Sequence, residues 1–75
     1  MNFDELKNEL KNILEEEELY TSDVLVDYEY WDSLTVLSIL ALLDSNYKIT
    51  LTSDDLDNCS TFGDLLNLVE ENYNS

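Results

Sequence analysis

The ten residues from Leu34 to Leu43 read Leu-Thr-Val-Leu-Ser-Ile-Leu-Ala-Leu-Leu, and eight of them are apolar. A run this short falls well below the ~18–20 residues of a membrane span, so the rest of the chain or another molecule must bury it. On a helix turning about 100° per residue, Val36, Leu40, Leu43 and Tyr47 recur at intervals of four, three and four. They make one stripe, with Ile39 beside it. Leu34, Leu37 and Ala41 fall on a second arc, more than ~90° from the centre of the first. A helix apolar on two sides needs two burial surfaces. The first stripe predicts a packed core; the second is either covered by the preceding loop or left open to a visiting protein.

Asp32 stands directly before this run, and Asp is among the best helix N-caps. The predicted helix covers residues 33–46, with Ser33 on its first turn and the Ser33 hydroxyl outside the backbone ladder. Unpaired N–H groups and the positive end of the helix dipole lie beside that hydroxyl. A phosphate esterified there would have favourable surroundings.

The remaining elements follow from periodicity. Asn2 and Glu5 resemble a capping pair, and Phe3, Leu6, Leu10, Ile13 and Leu14 recur at helical spacing. This first helix is predicted to run to about residue 16 or 18. There Glu15, Glu16, Glu17 and Glu18 oppose the dipole and fray the last turn. Residues 19–31 contain neither Gly nor Pro. Leu19, Val24, Leu25, Val26, Tyr28, Tyr30 and Trp31 make the segment too apolar for a free linker, so it reads as a packed loop with Asp23, Asp27 and Glu29 outward. Tyr47 to Leu51 alternate like a strand but have no partner strand, which predicts an extended segment pinning Tyr47, Ile49 and Leu51. Thr52 or Ser53 caps a short helix through Asp57. Thr61 with Asp64 begins the last helix, whose inward stripe is Phe62, Leu65, Leu66, Val69 and Tyr73, with Gly63 in its first turn. The predicted fold is all-α: a small four-helix bundle of three longer helices and one short third helix, with a long loop between helices one and two. Residues 1–75 form a single domain without repeats.

A chain of 75 residues buries only roughly 60% of the surface it exposes when unfolded. Cys59 is the only cysteine, so no disulfide assists. Eighteen acids against Lys7, Lys11 and Lys48, with no Arg or His, give a formal charge of −15. Nucleic acid and anionic membrane are poor partners for such a surface, whereas basic protein surfaces are favoured. The absence of histidine removes Ser-His and Cys-His nucleophile pairs. Asp54, Asp55 and Asp57 near Cys59 disfavour a thiolate, so the thiol reads as structural. The same acids lack the ligand spacing and Gly of a calcium loop. No catalytic residue and no metal ligand are predicted, and the chain does not read as an enzyme. Without a signal layout or an apolar span, a soluble cytoplasmic monomer is expected.

In this order of elements the chain resembles the acyl carrier protein family. The residues that carry the resemblance are Asp32-Ser33-Leu34 at the start of the second helix, the aromatic Tyr47, the extended pair Ile49 and Leu51, and Thr61-Phe62 at the final helix. The resemblance implies that Ser33 is esterified by a 4′-phosphopantetheine arm, taken from coenzyme A by a phosphopantetheinyl transferase. The arm would hold acyl groups as thioesters and deliver them to acyl-activating and acyl-transfer enzymes with basic or apolar docking surfaces. Carried over by position, the partner surface comprises Trp31, Asp32, Leu34, Leu37, Ser38, Ala41 and Asp44. Tyr30 stands where members commonly have Gly, and Ser38 and Ser45 stand where acids are frequent along the second helix. The missing acids favour a carrier of a specialised pathway over a housekeeping fatty-acid role, and the short chain without flanking linkers is expected to be free-standing. The alternatives are an aminoacyl or peptidyl carrier charged by an adenylating ligase, and an unmodified adaptor of the same fold.

Overall fold

The computed structural model describes residues 2–73. Its first helix, α1 (Phe3–Leu14), is opened by Asn2, whose side-chain oxygen accepts from the N–H groups of Asp4 and Glu5 at 3.0 and 3.3 Å. Leu6, Leu10 and Leu14 share one face and are buried. The helix stops at Leu14, earlier than the 16–18 expected. Glu15 turns left-handed (φ 54°), and the N–H groups of Glu15 and Glu16 both return to the Lys11 carbonyl. Another turn would carry successive carboxylates at the negative pole of the dipole. The chain reverses instead and brings Glu18 to 3.5 Å from Lys11 Nζ.

The connection to the second helix contains one turn of 3-10 helix, Leu25–Asp27. Leu19, Leu25 and Tyr28 are buried and Trp31 is half-buried, whereas Tyr20, Val24, Val26 and Tyr30 are exposed. The loop is therefore pinned at points rather than packed along its length. The Tyr28 hydroxyl donates to the Asp23 carboxylate at 2.9 Å, and Tyr20 N–H donates to the same oxygen at 2.8 Å. Burial, reinforced by that carboxylate, holds the Tyr28 pKa far above its ordinary value, so the hydroxyl remains a donor.

The second helix, α2 (Ser33–Tyr47), ends one residue beyond the expected position. Lys48 turns left-handed (φ 57°), and the N–H groups of Lys48 and Ile49 both return to the Leu43 carbonyl. Val36, Ile39 and Leu43 are buried, while Leu40 and Tyr47 are only half-buried. The stripe is thus centred on Ile39, because α2 packs against both α1 and the short third helix. That helix, α3 (Ser53–Asp57), is capped by Thr52, which exchanges hydrogen bonds with Asp55 at 3.2 and 2.9 Å. In the extended segment before it, Ile49 is buried and Leu51 half-buried.

The last helix, α4 (Phe62–Tyr73), starts with a reciprocal cap. Asp64 N–H donates to Thr61 Oγ1 at 3.1 Å, and the Asp64 carboxylate accepts from Ser60 and Thr61 N–H, also at 3.1 Å. These backbone donors hold the Asp64 carboxyl below the usual carboxylate range. Phe62, Leu65 and Val69 are buried and Leu66 is half-buried. Tyr73, expected inward, is exposed, because the stripe runs out of core beyond Val69.

The start of α4 also anchors the long loop. Leu25 N–H donates to the Ser60 carbonyl, Phe62 N–H to Asp23, and Gly63 N–H to Thr21, at 2.9–3.0 Å. A Cβ at residue 63 would lie 3.0 Å from the Thr21 carbonyl oxygen and 3.2 Å from Thr21 Cβ. The chain's single glycine therefore sits where two backbones meet closely.

No polar or charged residue is buried among those described, so the charge lies at the surface. The Lys11–Glu18 contact is the one ion pair among the described residues. At −15, self-repulsion opposes folding. Raising ionic strength from ~0.01 to ~0.15 M shortens the Debye length from roughly 30 to 8 Å. Thermal melts across this range are expected to show Tm rising; a flat or falling Tm would contradict that reading.

Candidate functional site

Asp32 leaves the loop in an extended conformation (φ −146°, ψ −176°) and closes the start of α2 with a two-way lock. Asp32 Oδ1 accepts from Thr35 N–H at 2.9 Å, and Thr35 Oγ1 accepts from Asp32 N–H at 2.9 Å. The Thr35 hydroxyl also donates to the Tyr30 carbonyl at 2.6 Å. These bonds fix the turn from Tyr30 to Thr35 as one unit. Positive φ among the described non-glycine residues occurs only at Glu15 and Lys48, so Tyr30 adopts a backbone that needs no glycine.

Ser33 is the first residue of α2 and is exposed. The N–H groups of Ser33 and Leu34 belong to the turn that has no intrahelical acceptors. Apart from the cap itself, α2 has no acid in its first turn. By contrast α1 carries Asp4 and Glu5 there, α3 carries Asp54 and Asp55, and α4 carries Asp64. In a chain with 18 acids, this helix start keeps its first turn uncharged. An anion esterified to Ser33 meets the positive end of the dipole with Asp32 as the one acid at this helix start.

A pocket of about 480 Å³ opens beside Ser33. Val26, Trp31, Val36 and Leu37 form its apolar lining; Asp32 and Ser33 from α2's start, with Ser53 and Asp57 from α3, form the polar part. Of the partner residues expected from sequence, Trp31, Asp32 and Leu37 meet Ser33 at this pocket. Leu34, Ser38, Ala41 and Asp44 do not line it, but all four are exposed along α2. Leu34 is 75% exposed and Leu37 58% exposed.

Sequence reasoning missed Thr35, Val26, Ser53 and Asp57. Thr35 has a local signal, since it stands three residues after the capping Asp, the spacing of a reciprocal cap. The other three reach the pocket through tertiary folding alone. Cys59 is half-buried and its thiol donates to the Asp55 carbonyl at 3.5 Å. Burial, then Asp64 and Asp55, push its pKa up, and it is not among the residues around Ser33. No helix among the described residues is long and apolar enough to cross a membrane.

A family model described as a phosphopantetheine attachment site matches residues 4–69. The solution structure of a holo acyl carrier protein from Geobacter metallireducens resembles this fold with a TM-score of 0.74 at 25% identity, covering 92% of this chain and 82% of that one. No curated protein matches the sequence.

Proposed function

The chain belongs to the phosphopantetheine attachment family, whose members are carriers rather than catalysts, and on that basis we propose that Ser33 is its attachment point. The prosthetic group is phosphopantetheine. The observation that carries the assignment is an exposed hydroxyl on the uncharged first turn of α2, held by the Asp32–Thr35 lock. The residues present fit the group. Ser33 Oγ provides the ester oxygen, and the N–H groups of Ser33 and Leu34 provide donors in the same turn. Asp32 and Thr35 hold that turn in place, so a phosphopantetheinyl transferase meets a formed site. When bound, the group supplies a thiol on a long arm, which holds an acyl cargo as a thioester.

The exposed face of α2, with Trp31 and Asp32 before it, is the surface proposed for partner enzymes. Leu34, Leu37, Ser38 and Ala41 make it apolar and neutral, with Asp44 as its acid. Contacts of this kind depend on apolar burial more than on ion pairs. This composition supports a dedicated pathway with matched enzymes rather than a general fatty-acid role. Leu37→Glu is expected to lower transferase kcat/KM by about tenfold or more, which corresponds to ~1.4 kcal/mol. Its circular dichroism and Tm should stay near the parent values; loss of the fold would instead place Leu37 in the core.

Incubating the apo chain with coenzyme A and a broad-specificity transferase tests the assignment. The expected result is a mass gain of one phosphopantetheinyl group, mapped to the peptide containing Ser33. No gain, or a gain mapped elsewhere, would overturn it.

A further inference from the structure

The face of α2 accounts for only part of the large apolar surface that the fold leaves uncovered. Leu34 and Leu37 stand on it, whereas Tyr20, Val24, Val26 and Tyr30 are exposed on the long loop. Val26 shares the pocket beside Ser33. Tyr20 and Val24 instead line a different cleft, of about 350 Å³, between the end of α1 and the loop. No residue of α2 lines that cleft, and none of those around Ser33 does. We propose that this cleft and its rim are a second docking surface. It takes a segment of a partner protein that carries Lys or Arg among apolar residues, and it leaves the Ser33 face free for an enzyme.

The apolar part of this surface stands on backbone that is already fixed. Tyr20 N–H donates to the Asp23 carboxylate at 2.8 Å, and Asp23 N–H donates to the Tyr20 carbonyl at 2.9 Å. Val24 forms an antiparallel bridge with Thr61, and the next N–H, that of Leu25, donates to the Ser60 carbonyl at 3.0 Å. Even so, Tyr20 is 61% exposed and Val24 41% exposed. A partner that covers them orders little loop and removes apolar surface from water. The sign of that partner follows from the charges. Glu16, Glu18, Asp23 and Asp27 line the same cleft, and none of the chain's three lysines does. Lys11 meets Glu18 at 3.5 Å, and Asp23 is engaged by Tyr20 and Tyr28, which leaves Glu16 and Asp27 to meet a cation from outside. A Lys or Arg there finds carboxylates and an exposed tyrosine ring together. The neighbouring helices separate the two features. The first turn of α2 has exposed Leu34 but no acid, and α3 has Asp54, Asp55 and Asp57 but a buried Leu56.

The probe is a helical peptide of leucine and lysine, titrated into the ¹⁵N-labelled full chain and followed by its amide shifts. A leucine–glutamine peptide is the uncharged control. Saturable shifts are expected at Glu16, Tyr20, Val24 and Asp27, with the control binding about tenfold more weakly. Tyr20→Ser should weaken the lysine peptide about fivefold, and Glu16→Gln combined with Asp27→Asn should weaken it as well. Leu37→Glu should leave its affinity unchanged. Amide spectra of each variant report that the fold persists. Loading of Ser33 by a transferase should proceed at its usual rate with the peptide in place. No saturable shift, shifts centred on α2 or spread equally over the acids of α3, or an affinity indifferent to Tyr20→Ser would overturn the second surface. So would a peptide that blocks loading of a chain otherwise loaded. A chain never loaded at Ser33 would overturn the attachment reading instead, and the peptide shifts would still decide this surface.

Discussion

Ser33→Ala is expected to abolish phosphopantetheinylation while leaving the fold in place. Residue 33 is exposed at the first position of α2, and the cap is made by Asp32 and Thr35 without its hydroxyl. Alanine is the best helix former, and surface changes of this kind usually stay within about 0.5 kcal/mol. For a domain of this size that is roughly 2–4 °C in Tm. Thr35→Ala is the informative contrast. It keeps the acceptor hydroxyl of Ser33 but removes the bonds to Asp32 N–H and the Tyr30 carbonyl. A cost of about 0.5–1.5 kcal/mol is expected from the lost hydroxyl bonds, since the Asp32 carboxylate still caps the N–H of residue 35. Its modification should be slower, not absent. Intact mass and a thermal melt on each variant separate the reacting oxygen from the turn that presents it. A Ser33→Ala chain that still gained the full mass would place the attachment elsewhere.

Phe62→Ala should bring the protein to the edge of unfolding. Phe62 has no exposed surface, and its N–H donates to the Asp23 carbonyl at 2.9 Å, so it sits where α4, the core and the long loop meet. Truncating a buried Phe costs about 3–5 kcal/mol. Seventy-five residues at roughly 0.05–0.15 kcal/mol each give a total stability of about 4–11 kcal/mol. The substitution therefore removes roughly a quarter to a half of the larger total and most or all of the smaller one. Urea denaturation should show the midpoint falling steeply, with a native baseline that is short or missing. Tyr47→Ala should cost less than Phe62→Ala, because Tyr47 is only half-buried beside the core. A Phe62→Ala midpoint equal to the parent's would remove the residue from the core.

The helices and their order are legible from apolar spacing, because each buried face repeats within its own helix. Leu6, Leu10 and Leu14, or Phe62, Leu65 and Val69, need no knowledge of their neighbours to be read as inward. The position of Ser33 is legible for a related reason: Asp32 signals a helix start through local hydrogen bonding. What remains hidden depends on how elements meet. Sequence spacing favours Leu40 and Tyr47 for the core stripe, but the approach of α1 and α3 to α2 centres it on Ile39. The end of α1 depends on a left-handed Glu15, and no glycine announces that conformation. Gly63 is visible in the sequence, but its reason is the Thr21 backbone lying against it. Val26, Ser53 and Asp57 join Ser33 from separate parts of the chain, and no local pattern marks them as neighbours.

The central claim concerns one oxygen, Ser33 Oγ, and intact mass of the protein from its own cells tests it most directly. The expected spectrum shows the chain carrying one phosphopantetheinyl group, with or without cargo, and fragmentation that assigns the added mass to residue 33. A chain recovered wholly unmodified, or modified at another hydroxyl, would contradict the account.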